Sequence, residues 1–136
     1  MAEPEFLTAA QFRELTKVPK NKSRIRRSPP EKRTCDGIVF DSIAEMKQYH
    51  DLKFKQIAGL IYDLEIHPRW QLHAYGGDHI GDYEADFQFK LPRGELVVQE
   101  VKSDWTRKDD PSARLYSWKV RHMWAEYKIK VEEVVR

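Results

Sequence analysis

Hydrophobic and polar positions divide the chain into one strongly helical stretch and several strand-like stretches. Between residues 41 and 58, apolar side chains return every three or four positions, which predicts an amphipathic helix. Asp41 or Ser42 would begin this helix, and Gly59 would end it because glycine adopts the left-handed conformation that follows a helix. The apolar face would contain Ile43, Met46, Tyr49, His50, Phe54 and Ile57.

A second, shorter helix is predicted near the start of the chain, from Thr8 to Thr16. Thr8 and Gln11 have the spacing of a capping box, in which each side chain caps the backbone of the other residue. Phe12 and Leu15 give this helix a thin apolar stripe.

The remaining pattern predicts strands, a hairpin and a last helix. Two short strands are expected over 60–74, broken at Pro68, and are followed by a turn at Gly76–Gly77. The alternating stretch 80–91 predicts one strand, Pro92–Arg93–Gly94 a hairpin turn, and 95–102 its partner strand. A helix over 112–127 and a strand over 128–135 complete the chain. This order predicts an α/β (α+β) fold.

Composition narrows the class of protein. The chain has 136 residues with 40% hydrophobic and 12% aromatic residues, which suits one packed domain. No apolar run approaches the ~20 residues that a membrane helix needs, and the first ten residues lack the apolar stretch of a signal peptide. Cys35 is the single cysteine, so an intrachain disulfide and a cysteine-based zinc site are excluded. We therefore expect a cytoplasmic protein with no membrane partner.

Charge is nearly balanced overall but is divided unevenly along the chain. The net charge is +2, yet residues 17–33 hold eight basic residues against Glu31 and have a net charge of +7, which leaves −5 for the rest. This stretch is rich in proline and serine and has only two aliphatic residues, so it can bury little apolar surface. We therefore predict a flexible basic arm. The predicted organisation is a short helix and arm over 1–35 and a folded domain over 36–136. The arm could bind phosphates or simply be a solvated linker.

Candidate chemistry lies on the predicted hairpin. If Leu91 faces Glu95 across the turn, then Asp86 lies directly opposite Glu100, and Lys102 shares their face. Two opposed carboxylates repel each other, and a divalent cation such as Mg²⁺ would remove the repulsion. A lysine beside such a cation could orient water or offset charge on a phosphate.

The opposite face of this hairpin is apolar and is predicted to pack on a helix; it contains Ala85, Phe87, Phe89, Val97 and Val101. An alternative without metal chemistry stays open, in which Asp86 and Lys102 form a plain cross-strand ion pair.

An ordered set of short motifs resembles a known group of enzymes. The set consists of residues 37–46, 58–61, Pro68, 81–87 and the Glu100–Val101–Lys102 triplet. Asp86 with this triplet resembles the PD-(D/E)xK nuclease superfamily. The longer set is similar to small phage and prophage proteins related to Holliday junction resolvases, over about residues 36 to 135. The resemblance implies a restriction-endonuclease-like αβββαβ core, with a central mixed sheet flanked by helices.

The resemblance also implies roles for particular residues. Asp86 and Glu100 would ligate Mg²⁺ or Mn²⁺, with the carbonyl of Val101 as a further ligand. Lys102 would position the attacking water or stabilise charge on the phosphate. Glu45, on the first long helix, would be an additional acidic residue at the metal site.

Two residues complicate this assignment. Ala85 stands where the superfamily motif has its proline, although members often lack that proline. Ser42 and Glu45 also have the spacing of a capping box, so Glu45 could cap its helix instead of serving the metal site.

Further basic and aromatic residues are candidates for DNA contact. They are Lys20, Lys22, Arg24, Arg26, Arg27, Lys32 and Arg33 in the arm, Trp105, Arg107 and Lys108 in the loop after the triplet, and Lys119 on the last helix. Trp105 could stack on an unpaired base or cover the edge of the core, and Lys119 could instead lie on a solvated face. His67, His73 and His79 lack helical metal-ligand spacing and are expected to be ordinary strand or loop residues.

These observations together predict a Mg²⁺-dependent DNA endonuclease, a hydrolase of phosphodiester bonds that acts on branched or recombination DNA in a phage or prophage context. If phage-encoded, it would work in the cytoplasm of a bacterial host, and a homodimer would supply the two active sites that symmetric cleavage needs. The alternatives are a catalytically inactive DNA-binding module on a nuclease fold and a structural or adaptor protein of a phage particle.

Overall fold

The computed structural model describes residues 8–16, 27–102 and 111–136, with the backbone alone at 15 and 16. The fold is mixed α+β and divides into two compact units. Within the described residues, the sheet unit comprises 27–68, 85–102 and 132–136, and the hairpin unit comprises 8–16, 69–84 and 111–131.

The helices of the described residues are α1 (Ala9–Thr16), α2 (Ile43–Ile57) and α3 (Pro111–Tyr127), with a short 3-10 helix at Pro30–Arg33. The strands are β1 (Thr34–Cys35), β2 (Ile38–Val39), β3 (Tyr62–Ile66), β4 (Arg69–His73), β5 (His79–Glu84), β6 (Phe87–Lys90), β7 (Leu96–Lys102) and β8 (Val131–Val135). None of these helices is both long and apolar enough to cross a membrane.

A mixed four-stranded sheet with the order β3-β6-β7-β8 forms the centre of the sheet unit. β6 pairs antiparallel with both β3 and β7. β8 runs parallel to β7, since Gln99 contacts Glu132 near one end and the amide of Arg136 donates to the carbonyl of Lys102 at the other. β7 is therefore a central strand, and both Val98 and Gln99 are buried although they point to opposite faces.

Helix α2 begins and ends where the sequence predicts. The Ser42 hydroxyl accepts a hydrogen bond from the amide of Glu45 at 3.0 Å and so caps the first turn. At the other end, Gly59 adopts a φ of +77°, the left-handed conformation that terminates helices.

The core of the sheet unit forms where α2 and the β2–α2 segment cover one face of β6. It contains Phe40, Tyr49, Leu52, Ile61, Phe87 and Phe89. The ring of Tyr49 stacks on that of Phe87 with centroids 6.4 Å apart, and Val97 and Val101 pack against the same cluster. This confirms the prediction that the apolar face of the hairpin packs on a helix.

The prediction of a single strand over residues 80–91 is wrong. β5 pairs with β4 in a separate two-stranded sheet, whereas β6 belongs to the central sheet. The chain changes partners at Ala85, whose amide donates to the carbonyl of Pro68 at 3.0 Å. Apolar alternation continues across this break because Tyr83, Ala85 and Phe87 are all buried, and alternation does not reveal which strand lies alongside.

In the hairpin unit, α1 and α3 pack on the β4–β5 hairpin. The predicted capping box of α1 is confirmed: Thr8 donates to the Gln11 side chain at 2.9 Å, and the Gln11 amide donates to the Thr8 hydroxyl at 3.2 Å. Phe12 is buried edge-on against Trp118 of α3, with ring centroids 5.2 Å apart. The predicted turn at Gly76–Gly77 joins the two strands, and both glycines have positive φ.

The end of the predicted flexible arm is folded. Arg33 donates to the carbonyls of Ser28 and Phe40, at 3.0 and 2.5 Å, and so ties the 3-10 helix to the start of α2. The arm residues 17–26 lie outside the described residues.

Candidate active site

The β6–β7 hairpin has the predicted register. Leu91 donates to the carbonyl of Glu95 at 2.9 Å, and the strand pairs run from Lys90 with Leu96 to Phe87 with Gln99. The regular ladder ends there, one pair short of Asp86 and Glu100. The expected direct opposition of these two residues as a strand pair is therefore not realised.

Asp86 departs from the ladder in a way that fixes its carboxylate. Its amide donates to Gln99 at 3.1 Å, and its Oδ2 accepts a hydrogen bond from the amide of Val101 at 2.7 Å. In a continued ladder, the carbonyl of Ala85 would accept this bond, but Ala85 has turned away toward Pro68. The side chain of Asp86 thus takes the place of one backbone acceptor between the two strands and is held against β7.

The turn after β3 brings a histidine to the same place. His67 has a φ of +53°, which is uncommon for a residue other than glycine. Its amide donates to the carbonyl of Asp86 at 3.0 Å, and the next residue, Pro68, is buried and accepts the hydrogen bond from Ala85. The two chain segments that hold His67 and Asp86 are therefore joined by backbone hydrogen bonds on both sides.

Glu45 enters this region from the first turn of α2. Ser42 caps the backbone amide of Glu45, as the capping-box interpretation requires. The Glu45 carboxylate is 5% exposed and lies with its Oε1 2.6 Å from Nε2 of His67. The backbone of Glu45 thus takes part in the helix cap, while its carboxylate belongs to the cluster around His67.

Burial shifts the acidity of both carboxyl groups in the same direction. Burial is the main cause that raises the pKa of Glu45, and the charge of Asp86 adds to the rise, while the hydrogen bond from His67 opposes it. Burial also raises the pKa of Asp86, while the hydrogen bond from the Val101 amide and the charges of His67 and Lys102 lower it. Lys102 is therefore close enough to Asp86 to act on its charge.

Glu100 and Lys102 are half-buried residues of β7, on either side of Val101. The backbone of Lys102 is fixed in the sheet by the hydrogen bond from Arg136. All four predicted catalytic residues, Glu45, Asp86, Glu100 and Lys102, therefore belong to the sheet unit.

The oxygen-rich donor set suits a hard divalent cation. Asp86 and Glu45 are carboxylates whose negative charge burial disfavours, and a bound cation would offset that cost. Among the described residues, a compact group of possible metal ligands consists of Asp41, Glu45 and His67, whose ligand atoms all lie within 4.8 Å of one another.

The predicted DNA-contacting residues have diverse environments. Lys32 is exposed, while Arg27 is exposed and lies 3.5 Å from Asp41. Lys119, in the hairpin unit, is half-buried and donates to the carbonyl of Asp82 at 2.6 Å, and burial lowers the pKa of its ammonium group. Arg33 is engaged by backbone carbonyls. The remaining candidates lie outside the described residues: Lys20, Lys22, Arg24, Arg26, Trp105, Arg107 and Lys108.

Sequence reasoning missed two members of the cluster, His67 and Asp41. The sequence predicts His67 as an ordinary strand or loop residue, and it places Asp41 at a possible helix start and in the motif set 37–46 without a ligand role. A usable signal was present, since Asp41 and Glu45 are four residues apart and can share one side of the start of α2. For His67, the signal was its position directly before Pro68, at the break between two strands.

A comparison with known proteins places the whole site inside one family. No curated protein and no solved structure matches the chain. Residues 26–134 match a family described as "Protein of unknown function (DUF1064)", and this range includes every residue of the cluster described above. Because the match spans most of the chain, the protein belongs to the DUF1064 family.

Proposed function

We propose that this protein is a metal-dependent endonuclease that hydrolyses phosphodiester bonds in DNA, with branched or recombination DNA as its substrate. One observation carries the proposal. Asp86 is half-buried where the chain enters β6, is hydrogen-bonded to β7, and is coupled by charge to Glu45 on α2 and to Lys102 on β7. Three elements thus bring two acids and a lysine together, as the resemblance to the PD-(D/E)xK superfamily implies.

The order of elements supports the same proposal. In the chain, α2 is followed by β3, β6, β7, α3 and β8, which is the succession of a restriction-endonuclease-like αβββαβ core. The β4–β5 hairpin would then be an insertion between the first and second core strands.

The metal would be held by Asp86 and Glu100, with the carbonyl of Val101 and the carboxylate of Glu45 as further ligands. A bound Mg²⁺ or Mn²⁺ supplies a Lewis acid that offsets charge on a phosphate and makes water more acidic. The raised pKa values of Glu45 and Asp86 support this donor set, because a site built for a cation holds carboxylates together that destabilise each other without one.

The protein's own groups would orient the reaction. The Val101 amide fixes one oxygen of Asp86, which leaves the other oxygen to face a ligand. His67 fixes one oxygen of Glu45 in the same way. The ammonium of Lys102 would hold the attacking water or stabilise the negative charge that develops on the phosphate.

The test is cleavage of a four-way DNA junction in the presence of Mg²⁺. Asp86→Asn and Lys102→Met should each lower the cleavage rate by about 100-fold or more, the usual effect of removing a group that stabilises a transition state. Asp78→Asn and Lys55→Met serve as matched controls, because both residues are exposed and lie outside the cluster. EDTA should abolish cleavage of the junction but not DNA binding.

The proposal is wrong if the Asp86 and Lys102 variants cleave as fast as their controls. A gel shift without cleavage under any divalent metal would favour the inactive DNA-binding module. A panel of junction, flap, fork and linear duplex DNA in the same assay identifies the preferred substrate.

A further inference from the structure

We propose that Asp41, Glu45 and His67 form a second cation site, suited to a transition-metal ion such as Mn²⁺ or Zn²⁺. Their possible ligand atoms, two carboxylate oxygens and an imidazole nitrogen, all lie within 4.8 Å of one another. This site shares Glu45 with the proposed nuclease centre but does not depend on that function, since its other two ligands, Asp41 and His67, are not metal ligands there.

The three side chains are brought together by the start of α2 and the end of β3 in the sheet unit. Asp41 directly precedes the Ser42 cap of α2, and Glu45 lies one helical turn later on the same side of the helix. His67 approaches from the end of β3, where its positive φ and its amide hydrogen bond to Asp86 fix the backbone. The arrangement is thus present before any ion binds, which lowers the entropic cost of assembling a site.

A cation would replace the proton that Glu45 and His67 now share. The 2.6 Å between Oε1 and Nε2 is a hydrogen-bond distance, whereas two ligands bound to one ion at about 2.1 Å lie roughly 3 Å or more apart. Both side chains must therefore separate by a few tenths of an ångström, and the ring proton of His67 must reside on Nδ1 when Nε2 binds the ion.

Asp41 is available to such an ion. Its present contact is with Arg27 at 3.5 Å, and both side chains are about two-thirds exposed, so this surface ion pair contributes little stability. The negative charge of Asp41 also raises the pKa of both Glu45 and Asp86. A cation at this corner of the sheet unit would offset an excess of negative charge.

The ligand chemistry selects the class of metal. Mg²⁺ and Ca²⁺ favour oxygen ligands, while an imidazole nitrogen beside two carboxylates suits Mn²⁺, Fe²⁺ or Zn²⁺. His67 is therefore the residue that distinguishes this site from the oxygen-rich set of Asp86 and Glu100.

The experiment isolates the site in a variant that lacks the other ligands. In full-length protein with Asp86→Asn and Glu100→Gln, titration with Co²⁺ followed by visible absorption, and with Zn²⁺ followed by calorimetry, should give one bound equivalent. Adding His67→Asn should weaken binding at least tenfold and change the Co²⁺ spectrum. Asparagine is chosen because it tolerates positive φ, and His50→Asn, an exposed histidine on α2, is the matched control. Asp41→Asn tests a second ligand that is exposed and leaves the turn after β3 unaltered.

The outcomes separate this proposal from the nuclease function. Equal binding by the His67 and His50 variants, with an unchanged Co²⁺ spectrum, overturns the site. So does a double variant that binds no metal although the wild type binds one equivalent, because the ion then belongs to Asp86 and Glu100. Binding that requires His67 and Asp41, together with a wild-type protein that cleaves no DNA, supports the site and contradicts the nuclease function.

Discussion

Asp86 combines two properties that oppose each other in the metal-free protein. Its carboxylate is held against β7 by the Val101 amide, which favours the charged form, yet burial raises its pKa and disfavours that charge. A carboxyl whose pKa is higher in the folded protein than in the unfolded chain makes folding less favourable once it ionises. The aspartate thus lowers stability at neutral pH, at the position where a cation would bind.

Replacing Asp86 by asparagine should therefore stabilise the metal-free protein at pH 7. Asparagine keeps an oxygen for the Val101 amide but carries no charge, so the free energy of unfolding in EDTA should rise by more than the ~0.5 kcal/mol of a typical exposed substitution. The gain should be largest above the raised pKa of the folded protein and should vanish as pH falls below 3.8, the ordinary value for this carboxyl. Urea denaturation over a pH series measures it.

The exposed Asp78→Asn provides the control, for which we expect little change in stability. A stability gain for Asp86→Asn that does not depend on pH would contradict the argument. Added Mg²⁺ should make the wild type more stable than Asp86→Asn, because the ion binds and stabilises the wild type and not the variant.

The choice of Asp86, Glu100 and Lys102 as site residues rests on spacing together with the resemblance and stays a prediction. Residue spacing alone was sufficient for the register of the β6–β7 hairpin, because a tight turn fixes which residues pair. It could not predict that Asp86 would leave the ladder, since this depends on Ala85 finding a partner at Pro68. The contact of His67 with Glu45 could not be predicted for the same reason, because the two residues lie 22 positions apart in the sequence.

At the scale of elements, local signals predicted well and long-range pairing did not. The caps of α1 and α2 and the glycine turns are encoded within four residues, and all are confirmed by hydrogen bonds or positive φ. The prediction of a single strand over 80–91 failed because strands of two different sheets share one alternating pattern. The sequence does not show which strand pairs with which. Helix α3 was predicted by its periodicity, but its place in the hairpin unit was not.

Gly81 illustrates an element contact that sequence pattern does not reveal. A Cβ added at this position of β5 would lie 2.6 Å from Cε1 of the buried Phe12 ring on α1. Gly81→Ala should therefore destabilise the hairpin unit by about 1–3 kcal/mol, the usual cost of overpacking. Thermal and urea denaturation of the full-length protein measure the loss.

A second substitution distinguishes crowding from backbone strain. Phe12→Leu removes the ring atoms that the new methyl group meets, so Gly81→Ala should cost less in that background than in the wild type. Equal costs in the two backgrounds would mean that contact with Phe12 is not the cause.

At the scale of the whole molecule, the net charge of +2 conceals where DNA would be attracted. Residues 17–33 have a net charge of +7; Arg33 donates to two backbone carbonyls, whereas Arg27 forms a weak, exposed ion pair with Asp41. For the proposed binding of DNA, the candidate cations are therefore those of residues 17–27 and the exposed Lys32. The sequence indicates the partition of charge, while the structure narrows the candidates by one, Arg33.

This narrowing predicts how DNA affinity depends on salt. Each phosphate that a basic residue neutralises releases counterions and adds about 0.9 to the slope of log affinity against log salt concentration. Lys20→Gln, Lys22→Gln and Arg24→Gln together should therefore lower the slope by up to about 2.7 for duplex DNA. The same number of neutralisations at the exposed lysines Lys47, Lys55 and Lys130 should change it much less. Fluorescence anisotropy with labelled DNA at several salt concentrations measures both slopes, using Asp86→Asn protein so that no strand is cut. If the two triple variants lose the same slope, the arm is a solvated linker, and the contacts with DNA must come from the folded body.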